Sequence, residues 1–87
     1  KMKPPPGSHL FSTHDFSFIN AKGKAFTIRT YSPMGGIANN QVVAAPVGAL
    51  GTTVKTRFRA AGATKEEALN ACMGMLNDLD DTAAILD

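Results

Sequence analysis

The chain has 87 residues, 44% hydrophobic and 18% charged, with one cysteine. That is the composition of one small globular domain with a thin core. No apolar run approaches the roughly 18 residues of a membrane span or forms the core of a signal peptide, and the lone Cys72 excludes an internal disulfide framework, so a reducing, cytoplasmic setting is expected.

The net charge of +2 conceals a division along the chain. Residues 1–65 carry all nine basic residues and a single acid, Asp15, a balance of +8. Residues 66–87 carry the other six acids and no base, a balance of −6. Such an asymmetry points to a charged partner more than to a fold. Neutralisation of one half by the other, within a monomer or across a dimer, is the competing reading.

Residues 1–10 open with KMKPPPGS, a proline-rich arm that favours extended backbone and is expected to contribute nothing to the core. The domain proper is expected over 11–87. Residues 15–19 (DFSFI) and 25–31 (AFTIRTY) alternate as β-strands, with Gly23 between them supplying hairpin chemistry. Phe16, Phe18, Phe26 and Ile28 then share one face, while Thr27, Arg29 and Tyr31 share the other.

Residues 32–52 contain no charged residue and are rich in glycine and alanine. A structureless loop of that length is improbable in a compact domain. Asn39-Asn40 is expected to turn into a strand over 41–45, which Pro46 would confine to a sheet edge. An uncharged edge of this kind offers an apolar contact surface, with Ile37, Val42, Val43, Val47 and Leu50 as its candidate residues, for a partner or for a homodimer.

Residues 53–60 (TVKTRFRA) alternate again, with Val54 and Phe58 facing the core and Lys55, Arg57 and Arg59 facing away. Gly62 is expected to free the corner that leads into a helix over 64–79. There Thr64 and Glu67 form a capping box in which the hydroxyl accepts from the Glu67 amide and the carboxylate reaches back to the Thr64 amide. Leu69, Cys72, Leu76 and Leu79, with Met73 beside them, make one apolar stripe. Gly74 interrupts the helix and is expected to allow close approach to the sheet. The last residues, 82–87, are expected to form a final turn or a docked tail that places Ile85 and Leu86 in the core.

The expected fold is therefore α+β: three or four antiparallel strands with one C-terminal helix packed on one face. The opposite face would present Arg29, Tyr31, Lys55, Arg57 and Arg59, cations with one aromatic, which is a workable footprint for phosphates and a stacked base. Charged strand faces also serve solubility alone. Chemistry finds little to use. His9, His14 and Asp15 offer no third metal ligand at usable spacing. Cys72 lies on the buried stripe without an activating base, Gly35-Gly36 lacks the spacing of a phosphate loop, and Asp78, Asp80 and Asp81 lack a calcium-loop glycine. No cofactor or metal is expected.

The run from Arg59 to Leu76, RAAGATKEEALNACMGML, resembles the last strand and C-terminal helix of a double-stranded-RNA-binding domain, whose helix opens with lysines that hold RNA phosphates. At the matching positions only Lys65 is a lysine, and Glu66 would repel a phosphate. The same run is similar to the segment Gly-x-Thr-x-Glu-Glu-Ala-Leu of HicB-type antitoxins, small β-β-β-α proteins that hold a toxin through protein contacts; Gly62, Thr64, Glu66, Glu67, Ala68 and Leu69 match it. The two resemblances imply two functions. The first expectation is a non-enzymatic protein-interaction module of the inhibitor or antitoxin kind, which presents Glu66, Glu67, Asp78, Asp80 and Asp81 to a partner with a basic surface. The alternative is an RNA-binding module that uses the basic sheet face.

Overall fold

The computed structural model describes residues 11–33, 41–49 and 52–87. The arm over 1–10, the Asn39-Asn40 turn and two candidate contact residues, Ile37 and Leu50, lie outside the described residues. The fold is α+β: a four-stranded antiparallel sheet in the order β1-β2-β3-β4, with one C-terminal helix on one face.

β1 (Phe11–Ile19) and β2 (Ala25–Pro33) form a hairpin paired without a break from Phe11↔Pro33 to Ile19↔Ala25. β1 begins four residues earlier than its aromatic pattern suggests, because Phe11 to His14 continue the same alternation opposite Thr30 to Pro33. Gly23 holds φ at +78°, a left-handed conformation that glycine adopts without a side-chain clash.

β3 (Val42–Pro46) lies between β2 and β4, not at an edge. Pro46 is tolerated there because of parity. The Val47 N–H bonds to the Thr27 carbonyl at 2.8 Å, so the odd-numbered residues of β2 and β3 exchange hydrogen bonds and the even-numbered residues of β3 turn toward β4. β4 (Ala60–Gly62) pairs only with Val42 to Ala44 and has ended before it reaches Pro46. The missing N–H therefore costs no ladder bond.

The expected strand over 53–60 is broken into three pieces. Val54 forms an isolated bridge with Leu86, Thr56–Phe58 is a 3-10 turn, and the sheet resumes only at Ala60. The cause is the C-terminus. After a 3-10 turn over Thr82–Ile85, whose Ala83 amide is capped by the Asp81 carboxylate, the tail supplies two bonds that a sheet neighbour would have made: Lys55 N–H to Ile85 O and Asp87 N–H to Thr53 O, both 2.7 Å. Ile85 is buried and Leu86 packs beside it, so the tail is docked as well as turned.

α1 (Lys65–Leu76) packs across β2, β3 and β4. Thr64 Oγ1 accepts from the Glu67 amide (3.2 Å), and the Glu67 carboxylate accepts from the Ala63 amide (2.9 Å), one residue before the expected donor. The buried stripe is Ala68, Cys72 and Leu76, with Leu69, Met73 and Leu79 partly covered at its margins. It meets Phe26, Ile28, Val42, Ala44, Phe58 and Ala60, whereas Phe16, Phe18 and Val54 are only half-buried.

The two glycines of this region work differently from expectation. Gly62 keeps an ordinary backbone and serves close packing: a Cβ there would lie 2.7 Å from the Glu67 Cβ and 2.9 Å from the Ala68 nitrogen. Gly74 faces open space and brings nothing closer to the sheet.

α1 stops at Leu76, three residues short of the expected end, because Asn20 holds its terminus. From the turn after β1, Asn20 Nδ2 donates to the carbonyls of Leu76 (2.8 Å) and Leu79 (2.9 Å), while its Oδ1 accepts from the amides of Lys22 (3.0 Å) and Lys24 (2.8 Å). Asn77 returns the contact by accepting from the Ala21 amide at 2.9 Å. The last carbonyls of a helix need such partners. Hairpin and helix are clasped through one buried amide.

Candidate binding surface on the open sheet face

Alternation gives the sheet a second face, which no helix among the described residues covers. Its residues follow from the register: Thr13 beside Tyr31 and Val43, then Asp15 beside Arg29 and Ala45, with Ala61 next to Val43. Arg29 grips Asp15 from two sides, Nε to Oδ1 at 2.7 Å and Nη2 to Oδ2 at 3.1 Å. Hydrogen bonding to the guanidinium holds the Asp15 carboxyl below its ordinary range, and the same bond raises Arg29. The pair is exposed, so it orders the two side chains more than it stabilises the fold.

Of the five sheet-face residues expected from sequence, the structure brings four together. Arg29 and Tyr31 from β2, Lys55 before the 3-10 turn and Arg59 before β4 line one groove of about 370 Å³, whose floor includes Ala45 and whose rim includes Thr52. Although the strand expected to align Lys55 with Arg59 is absent, the turn that replaced it leaves both on the groove. Arg57 does not join them. Its guanidinium lies over the Phe58 ring, 4.8 Å from the centroid. Among the described residues no acid lines the groove, so with Arg29 already paired to Asp15 the uncompensated charge belongs to Lys55 and Arg59. Next to it, Phe11, Tyr31, Val43 and Arg59 enclose a smaller and more apolar hollow.

The acidic residues are arranged otherwise. Glu66 and Glu67 sit in the first turn of α1, where they complement the helix dipole. Asp78, Asp80 and Asp81 lie beyond its last turn, roughly 18 Å away at 1.5 Å per residue. They form two small groups, not one patch. Three already have tasks: Glu67 caps α1, Asp81 caps the tail turn, and Asp80 lies 3.7 Å from Lys22 Nζ. Lys65 reaches over the Phe16 ring, 5.9 Å from its centroid, on the helix side of the sheet.

The uncharged segment divides in the same way. Val42 is 7% exposed and belongs to the core, which takes it off the surface; Val43 and Val47 are half-buried, with Val43 on the open face. Cys72 is fully buried, its Sγ donating to the Phe58 carbonyl at 3.5 Å, and burial pushes the thiol up to about 11. Among the described residues no three His, Cys, Asp or Glu side chains gather to hold a metal ion, and no helix is long and apolar enough to cross a membrane.

Asn20 escaped the sequence reading. Its only local signal is its place at the head of a glycine turn, whereas its partners on the helix end lie 56 and 59 residues further along. Compared with protein-family models, curated proteins and solved structures, the chain matches none of them.

Proposed function

We propose that this protein is a non-enzymatic binding module whose working surface is the open sheet face, and that its partner there is single-stranded nucleic acid, RNA in the first instance. One observation carries the reading. Arg29 and Tyr31 from β2 and Lys55 and Arg59 from either side of the 3-10 turn, two stretches of the chain far apart in sequence, converge on one groove over the antiparallel sheet. Lys55 and Arg59 supply charge for phosphates, and the Tyr31 ring supplies a platform on which a base can stack regardless of sequence.

A single strand suits this surface better than a duplex. The helix that duplex binders of the resembling family use opens here with Glu66 and Glu67, and Lys65 is turned toward Phe16 on the other side of the sheet. The inhibitor or antitoxin reading is less well supported. A basic protein would have to reach acids at both ends of α1, three of which already cap or pair within the domain.

Fluorescence anisotropy with labelled single-stranded RNA and DNA tests the proposal. Binding is expected to weaken with salt, with a log–log slope of about −1.5 to −2 for two or three phosphate contacts. Lys55→Glu with Arg59→Glu should abolish it, and Tyr31→Ala should weaken it about tenfold, the scale of one stacked base. Absence of binding at low salt, with capture of a basic protein through the α1 acids instead, overturns it.

A further inference from the structure

β1 is a sheet edge of unusual openness. It spans nine residues, makes its substantial contacts among the described residues with β2 alone, and runs without a bulge. The turn fixes which way its backbone points. The Asn20 N–H bonds to the Lys24 carbonyl at 2.9 Å, so Phe18, Phe16, His14 and Ser12 continue the ladder to β2 at alternate positions. The N–H and C=O groups of Phe11, Thr13, Asp15, Ser17 and Ile19 therefore face outward. Edges of this kind are ordinarily guarded by lysine, proline or a bulge. β1 has none of these, and its one acid is held by Arg29.

The side chains say what fits. The large hydrophobics left exposed among the described residues are Phe11 (41%), Ile19 (69%) and Met75 (37%). Phe11 and Ile19 are the first and last residues of β1 and stand on the same open face. Only an antiparallel partner with the same spacing brings a first residue to a last one at both ends. We propose that β1 pairs with the β1 of a second copy across a two-fold axis perpendicular to the sheet, in the register that sets Phe11 opposite the partner's Ile19.

In that register every outward N–H and C=O finds its counterpart, up to about ten ladder bonds. Thr13 faces the partner's Ser17 on the open side, and on the helix side Ser12 faces the partner's Phe18. Asp15 meets its own copy at the axis, a repulsive neighbour, but each carboxylate brings its Arg29, so the row across the axis reads cation, anion, anion, cation. Shifting by two residues separates the carboxylates and leaves one apolar end of each strand uncovered. The contact is isologous and closed. It joins two sheets into one of eight strands with both grooves on the same side, and it stands whether or not the groove binds nucleic acid.

Sedimentation velocity across a concentration series tests this directly. A species of about twice the 9.1 kDa chain mass is expected. Ser17→Pro removes an outward N–H while sparing the bonds to β2, and it should raise the dissociation constant at least tenfold with the far-ultraviolet spectrum unchanged. Should that variant fail to fold, Ile19→Lys, at a position 69% exposed, carries the same expectation. Oxidising a mixture of Phe11→Cys and Ile19→Cys proteins should give a covalent dimer that neither forms alone, since paired Cα atoms lie about 5.5 Å apart. A chain that stays monomeric at every concentration, or a dimer that ignores both edge substitutions, overturns the proposal.

Discussion

The two faces of the sheet are cut from the same strands and have opposite fates. On the helix side the alternate β2 residues Phe26, Ile28 and Thr30 are buried, and the two buried polar side chains among the described residues are satisfied within the fold: Asn20 by the clasp, Thr30 by the His14 carbonyl at 3.4 Å. On the open side the intervening Arg29 and Tyr31 remain accessible, and among the described residues the one strong polar contact is the exposed Arg29–Asp15 pair. One face spends its side chains on folding. The other leaves them available for a partner, so substitutions on the two faces should separate stability from binding.

The largest loss is expected from Leu76→Ala, which empties a fully buried position beneath the sheet. About 3 kcal/mol should disappear from the unfolding free energy in urea. Asn20→Ala comes next, at about 2–3 kcal/mol, because it strips partners from two helix-end carbonyls and two turn amides at once. Asn20→Asp keeps the acceptor for the two turn amides but turns a carboxylate toward the negative end of α1, so a loss of similar size is expected. If Asn20→Ala proves neutral, the clasp contributes nothing and the helix side is held by apolar packing alone.

Two glycines sharpen the contrast, Gly62 at the end of β4 and Gly74 inside α1. Gly62→Ala presses a methyl to 2.7 Å from the Glu67 Cβ and should cost about 1–3 kcal/mol. Gly74→Ala enters open space and should stabilise by about 1 kcal/mol, the ordinary helix preference. Thermal denaturation of the pair reads both signs in one experiment.

Much of the helix side was legible beforehand. Phe26 and Ile28 announced a buried β2 face by period-two alternation, and Thr64 with Glu67 announced where α1 starts. Local pattern failed where distant segments intervene. TVKTRFRA alternates like a strand, yet Ile85 and Asp87, some 30 residues on, take its backbone bonds and leave a 3-10 turn in the middle. Pro46 reads as an edge residue, and parity together with the shortness of β4 lets it sit in an inner strand. The groove was legible as a set of residues and illegible as a shape. Lys55, Arg57 and Arg59 look equivalent in sequence, but the turn sends Arg57 over Phe58 and leaves the other two on the groove.

The smallest effect at neutral pH belongs to Cys72. Its thiol rises from an ordinary 9.0 to about 11 because burial disfavours the thiolate. The folded state therefore keeps a proton that the unfolded chain gives up. The sign follows: this contribution is fully present below about pH 9 and is lost as pH rises toward 11. Unfolding free energy should fall across that window, more in the native chain than in Cys72→Ala, and the native thiol should alkylate slowly near pH 8.

The division of labour between the faces is tested most directly by amide chemical-shift mapping with a short single-stranded RNA at low salt. Shifts centred on Arg29, Tyr31, Lys55 and Arg59, fading as salt is added, are the expected result. Shifts centred on Glu66, Glu67 and the residues after α1, or none at saturating RNA, would contradict the assignment of the open face as the working surface.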